Sequence, residues 1–353
     1  MATTAQRLTY AAAQTARVAF YGAHYLVARV VAHDAFVEAD LPGRNFPSLR
    51  ETLKGMRVLF ATDLANAEAG LYPLPLDLAQ EMRGARASLR YLADISRVAE
   101  RRRRQGHDDV AAAGQGLPRY YRQNFHFQTD GYLSRDSAKL YDFQVEALFA
   151  GTADAMRRRA WVPIARFLEN RNPARAILLD IGAGTGGFLS FVKGAQPRLK
   201  AIALDLSEHY LERARRTLSA HPEVRFCTAA AESMPLNDAS VDAAVSIYLF
   251  HELPPKVRAR AAREIARVLK PGGIFVLADT IQYGDISSCD GLIDAFPTLM
   301  YEPYYESFAR SDLAALFGAG GLELIDADIA YLTKISVFRK TQPRKSKSRL
   351  AVK

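Results

Sequence analysis

The chain has 353 residues, 49% of them hydrophobic and 24% charged, which suits a soluble globular protein with one domain of about 200 residues and a substantial extension. Its two cysteines, Cys227 and Cys289, exclude a disulfide framework and predict a reducing, cytoplasmic setting. No apolar run approaches the ~18 residues of a membrane span, and Met1–Gln6 lacks the basic-then-apolar pattern of a leader. Of the formal charge of +9, seven positive charges lie in Arg339–Lys353, so the rest of the chain is close to neutral. The basic end reads as a solvated tail rather than a nucleic-acid contact.

From Thr3 to Glu100 the pattern is helical, with Leu8, Ala12, Thr15 and Ala19 on one face. Breakers at Leu41-Pro42-Gly43 and Tyr72-Pro73-Leu74-Pro75 divide this region into three helices. These helices are expected to cover the pocket or to pair two copies in a homodimer. The stretch Phe20–Leu26 reads as core packing. Arg101–Arg104 read as a solvated helix end, followed by a linker to Gly116. Tyr120–Tyr141 mixes aromatics, amides, a histidine and acids, and offers His126 and Tyr132 as substrate-side candidates. Ser134 predicts the N-cap of a helix running from Arg135 through Leu148. A second helix is predicted over Ala153–Leu168, kinked at Pro163.

After Arg175 the period changes. Strands are predicted at Ala176–Asp180, Lys200–Asp205, Val224–Thr228, Val241–Tyr248, Gly273–Asp279, Gly321–Ala327 and Lys334–Phe338. Helical stretches separate the first six, as in βαβ units with a parallel sheet, and the short link between the last two predicts an antiparallel hairpin at one sheet end. The expected fold class is α/β, a doubly wound, mostly parallel seven-stranded sheet with an α-helical N-terminal domain. The expected division is 1–116 for the helical domain and linker, 117–172 for a helical lid or connector, 173–340 for the sheet domain and 341–353 for the tail.

The segment Ile177–Phe191 concentrates the chemistry. An apolar run ends in Asp180, glycines follow at Gly182, Gly184 and Gly186, and a helical pattern begins. A strand, a Gly-rich turn and a helix start make an acidic acceptor and free N–H donors available to a nucleotide-like ligand. The turn also satisfies G-x-G-x-x-G through Gly182, Gly184 and Gly187, which admits a nicotinamide reading.

Together with Asp205 ending the second strand, the run Ala231-Glu232-Ser233-Met234-Pro235, and Val268–Gly273 leading into a strand, this segment resembles the class I S-adenosylmethionine-dependent methyltransferases, in particular the small-molecule branch that includes quinone-type methyltransferases. Asp180 before the turn, the Lys270–Gly273 lead-in and the terminal hairpin favour this over the nicotinamide reading. The resemblance implies S-adenosylmethionine as cofactor and S-adenosylhomocysteine as product. It implies that Asp180, Gly182, Ala183, Gly184 and Gly186 wrap the methionine part, that Asp205 and Leu206 take the ribose, and that Ala231, Glu232 and Ser233 sit against adenine. Where the family often has an acid before that run, this chain has Ala230. Strand four would face cofactor and acceptor, with Tyr248 on the cofactor.

His251 is the expected general base and Glu252 its orienting or substrate-binding partner. The reading that His251 only shapes the pocket stands beside it. No metal is expected, because H-E-x-x-H would need a histidine at Pro255. Gly284–Phe308 reads as an aromatic lid, with Tyr301, Tyr304 and Tyr305, together with His251, on the substrate. The expected reaction is O- or C-methylation of a small hydrophobic or aromatic acceptor. The nucleic-acid amino-methylation signature is absent at Tyr248–His251. The rival readings are a nucleic-acid methyltransferase and a non-methylating S-adenosylmethionine-binding protein.

Overall fold

The computed structural model describes residues 2–31, 45–76, 78–112 and 114–341. The Leu41–Gly43 breaker and residues 342–353 of the basic tail lie outside the described residues. Among the described residues, three long helices open the chain: α1 (Thr4–Val31), α2 (Leu49–Glu68) and α3 (Leu78–Arg103). A segment of turns follows, and then α4 (Arg135–Leu148) and α5 (Ala153–Leu168). Ser134 caps α4 by accepting the Ser137 N–H at 3.0 Å, as the sequence predicts.

The sheet half runs β1 (Ile177–Ile181), α6 (Gly187–Ala195), β2 (Lys200–Asp205), α7 (Glu208–Thr217), β3 (Val224–Thr228), β4 (Val241–Ile247), α8 (Pro255–Val268) and β5 (Leu269–Thr280). It continues through α9 (Asp290–Met300), α10 (Tyr305–Ala309) and α11 (Leu313–Gly318) to β6 (Leu322–Ala330) and β7 (Thr333–Lys340). The strand order is β3-β2-β1-β4-β5-β7-β6. The first five strands are parallel, and the β6–β7 hairpin pairs antiparallel with β5. The order reverses between β1 and β2 on one side and β4 on the other, and ligands bind such sheets at the carboxyl ends of the strands at this switch.

The helical extension is packed into the sheet half. Leu59 of α2 and Tyr72 belong to the same apolar core as Trp161 of α5 and Leu178 of β1. A buried polar knot joins them. Asp63 accepts from Tyr10 Oη at 2.6 Å, Tyr72 Oη at 2.7 Å, and both Nε and Nη2 of Arg158 at 2.8 and 2.7 Å. Its carboxylate is thus fully answered, the condition under which a buried ion pair is tolerated. Arg17 of α1 adds bonds to the Gly151 carbonyl and Asp154. Phe20, Tyr21 and His24 pack on Phe143 of α4, so this face of the stretch is core, whereas Leu26 is exposed.

Two expectations change. Arg101 and Arg102 are not a solvated helix end. Arg101 donates to Asp109, Thr129 and the Phe127 carbonyl, while Arg102 is buried over the Phe127 ring. The stretch 284–308 is largely helical rather than an open loop, with Pro297 accommodated inside α9.

Candidate functional site

Beyond the carboxyl ends of β1, β2 and β4 lies a cavity that opens to solvent. Its floor is the turn after β1. Leu204 at the end of β2 accepts the N–H groups of Gly182 and Ala183 at 2.8 and 3.0 Å, fixing the turn to the neighbouring strand. Gly184 has φ +53°, a conformation that favours glycine, and a Cβ there would be in ordinary contact with the rings of Tyr141 and Tyr210, 3.9 and 4.0 Å away. Gly186, at φ +80°, serves a different purpose: a Cβ would press on Leu218 and Ala214, so this glycine lets α6 and α7 approach and does not line the cavity.

Asp205 sits at the tip of β2. Its carboxylate accepts the Gly184 N–H and the Ser207 N–H, each at 2.8 Å, and keeps a lone pair on each oxygen for further donors. Burial pushes its pKa up to about 6, against the pull of those backbone bonds. Asp180 is 2% exposed and its Oδ2 has no hydrogen-bond partner. Burial, with the Asp205 charge nearby, pushes its pKa up to about 8. An orphaned acid beneath a cradle of backbone N–H groups fits a ligand carrying a positive group.

Leu206, Ala229, Ala230 and Ala231 make one wall. Glu232 and Ser233 do not line the cavity. Glu232 is tied back by Tyr120 Oη at 2.8 Å and Ser233 is exposed, which corrects their adenine assignment. The missing acid at Ala230 leaves this wall apolar. Tyr248 lines the cavity with φ +53°, stacked on Phe149 and bonded to Thr333 Oγ1 at 2.6 Å. A left-handed tyrosine is a strained conformation of the kind that clusters at functional sites.

The opposite wall is aromatic: Tyr120, Tyr121, Phe125, Tyr132, Tyr141 and Tyr210. Tyr132 was expected here. Tyr141 and Tyr210 were not, because each sits on a helix whose spacing reads as ordinary packing. Tyr132 Oη donates to Glu252 Oε1 at 2.5 Å, and both residues line the cavity.

His251 is buried behind that wall. Its Nδ1 lies 2.6 Å from Asp279 Oδ1, while Asp279 Oδ2 accepts the Phe250 N–H at 2.9 Å. Burial alone would lower the imidazole pKa, but Asp279, with smaller contributions from Glu302 and Glu252, pushes it up to about 9. The ordinary value near ~6.5 that suits a general base at neutral pH is therefore not what this site sets. Asp279 escaped sequence reasoning, as a strand residue without a motif. So did Glu302, whose carboxyl burial holds well above the usual range, with Glu252 adding to the rise.

The remaining substrate-side expectations also change. Tyr301 stacks on His107 at 4.2 Å and donates to Gln123 Oε1; Tyr304 accepts from Gln123; Tyr305 packs edge-on to His251. None of the three lines the cavity, nor do Ala183, His126 or His251, and Asp180 lies beneath the turn rather than on the cavity surface. Their helices brace the inner wall. A separate, more open hollow among Arg166, Arg171, Lys270 and Arg339 lies at the opposite ends of the strands, far from this chemistry.

Residues 178–273, from β1 into β5, match the family described as "Methyltransferase domain". A tRNA (carboxymethyluridine(34)-5-O)-methyltransferase of Arabidopsis thaliana is 32% identical over 148 residues, covering 39% of this chain and 32% of that protein. A malonyl-[acyl-carrier protein] O-methyltransferase of Methylococcus capsulatus is 33% identical over 119 residues, covering 34% of this chain and 42% of that protein. The solved structure of a SAM dependent methyltransferase from Aquifex aeolicus covers 52% of this chain and 89% of its own, at 19% identity and a TM-score of 0.40. The chain spans less than half the length of the two curated relatives. Residues 178–273 are thus similar to methyltransferase domains, which use S-adenosylmethionine as cofactor. That cofactor carries an ammonium group and two ribose hydroxyls, and the residues here offer matching acceptors: Asp180 Oδ2 beneath the turn has no partner, and Asp205 keeps a lone pair on each oxygen. Among the described residues no helix is long and apolar enough to cross a membrane.

Proposed function

We propose that the whole protein transfers a methyl group from S-adenosylmethionine to an oxygen or carbon of a small aromatic or apolar acceptor. The observation that carries this reading is the single cavity shared by the Gly182–Gly184–Asp205 cradle and a wall of five tyrosines and Phe125, with Glu252 on its margin. Bound there, the cofactor supplies an electrophilic methyl. The residues of the chain supply alignment and dryness, because in-line transfer depends on holding the acceptor atom near ~3 Å from the methyl.

Each part of the wall has a separable role. Asp205 holds the ribose and so fixes the register of the cofactor. The tyrosine faces take a planar acceptor and exclude water, with ring centroids 5.4–6.2 Å apart among Tyr121, Tyr132, Tyr141 and Tyr210. Glu252 accepts a hydrogen bond at the wall, and Tyr132 sets its orientation. Arg101 and Arg102 are occupied inside the fold, which weighs against a nucleic-acid surface on the arginine run.

The test is turnover with methyl-labelled S-adenosylmethionine against phenols, hydroxyquinones and bulk tRNA, following S-adenosylhomocysteine. Labelled product from a small acceptor is expected. Label incorporated only into tRNA would move the acceptor to RNA. Binding of the cofactor with no transfer to any acceptor would leave a cofactor-holding, non-methylating protein.

A further inference from the structure

We propose that His126, His251, Glu252 and Glu302 bind one first-row divalent cation behind the tyrosine-lined wall of the cavity. The four come from three distant segments, yet one ligand atom of each lies within 4.8 Å of all the others. The inference stands on side-chain geometry and does not depend on methyl transfer.

Glu302 is the strongest indication. It is 1% exposed, and neither carboxylate oxygen has a hydrogen-bond partner. His126 Nε2 stands 3.1 Å from Glu302 Oε1, but without the alignment of a hydrogen bond, so proximity does not satisfy the acid. Buried carboxylates are tolerated when they are paired or coordinate a metal. His126 Nε2 is also 3.8 Å from Glu252 Oε1, so an imidazole and two carboxylates converge on one point.

The fourth group is prepared in the manner of a metal-binding histidine. His251 uses Nδ1 on Asp279, which leaves Nε2 for a ligand. Asp279 is itself held by the Phe250 and Thr280 N–H groups. A carboxylate behind a ligating imidazole fixes tautomer and ring orientation and raises ligand basicity.

The backbone is strained on two of the three segments. His126 has φ 56° and ψ 18°, and Phe127 follows at φ 53°; Tyr301, next to Glu302, has φ 44°. The conformations are held by the buried Phe127 ring and by the stacking of Tyr301 on His107. Left-handed non-glycine residues persist where surrounding structure over-determines them, typically around ligand clamps.

Two imidazoles and two carboxylates suit Mn²⁺, Fe²⁺ or Zn²⁺, whereas Mg²⁺ and Ca²⁺ take oxygen sets. Glu252 alone of the four lines the cavity, so the cation would hold that carboxylate in place at the acceptor side. The motif that argued against zinc considered only residues at helical spacing after His251. The ligands instead converge through the fold.

The test uses the full chain stripped with a chelator and dialysed against Zn²⁺, Mn²⁺ or Co²⁺, with bound metal counted by mass spectrometry. About one ion per chain is expected, zinc displacing manganese. Co²⁺ should give visible ligand-field bands that change when Glu302→Gln is introduced. Glu302→Gln and His126→Ala should each weaken metal binding by about 100-fold while the protein still binds S-adenosylhomocysteine. If Glu302→Gln fails to fold, His126→Ala decides, because His126 is partly exposed. Substoichiometric metal in the wild type, or metal binding unchanged in His126→Ala, overturns the proposal.

Discussion

The floor of the cavity and its inner wall are assembled by different means. At the floor, Asp180, Gly182, Gly184 and Asp205 come from one strand–turn–helix–strand passage, and backbone N–H groups tie the turn to Leu204 and Asp205. At the inner wall, His126, Glu252 and Glu302 come from segments far apart in sequence, and their side chains converge. A site made of backbone at a topological switch can be read from a short motif. A site made of converging side chains exists only once the whole chain has folded. The floor should therefore respond to substitution through cofactor affinity, and the inner wall through turnover.

The largest effect is expected at the inner wall. His251→Ala should keep cofactor affinity within about 3-fold and lose roughly 10²- to 10⁴-fold in turnover, the range associated with groups acting in proton transfer or its positioning. Unchanged turnover would remove His251 from the chemistry. At the floor, Asp205→Ala should raise the cofactor Kd by about 100-fold, from two charge-assisted hydrogen bonds to the ribose. Calorimetric titration checks this, and a change in turnover at saturating cofactor would blur the division between floor and wall.

A smaller effect follows from the floor's acids. Asp205 and Asp180 titrate near about 6 and about 8, both raised by burial. A ligand that donates hydrogen bonds and carries an ammonium favours their ionised forms. Cofactor affinity should thus rise with pH through this window, and fall as pH drops and the acids take up protons. Titration in buffers of different ionisation heat should show proton release on binding, and Asp180→Asn should flatten the upper part of the profile. A pH-independent affinity from pH 5 to 9 would contradict it. The smallest effect is expected for Tyr120→Phe, which frees Glu232 and should loosen the aromatic wall by about 3- to 5-fold in cofactor Kd, a fraction of the bond's own strength because it acts indirectly.

The sheet was largely legible. β2 and β3 fall where the pattern places them, Ser134 caps α4, and the terminal hairpin pairs as its short link implies. Periodicity and turn chemistry are local properties and survive folding. The substrate side was legible only in part. Tyr132 and Glu252 reach the cavity, but Tyr301, Tyr304 and Tyr305 pack against the far side of the inner wall, because Pro297 does not break α9 and the lid folds as helices. Tyr141 and Tyr210 were hidden by helical spacing that fits a core equally well. Asp279 and Glu302 carry no local signal, since their roles arise from neighbours distant along the chain.

The Asp63–Arg158 knot bears on how the two halves are joined. Arg158 belongs to α5, and its carboxylate fork comes from Asp63 of α2, so removing the helical extension would leave its guanidinium without that partner. The extension is therefore an integral part of one cooperative unit rather than a detachable accessory.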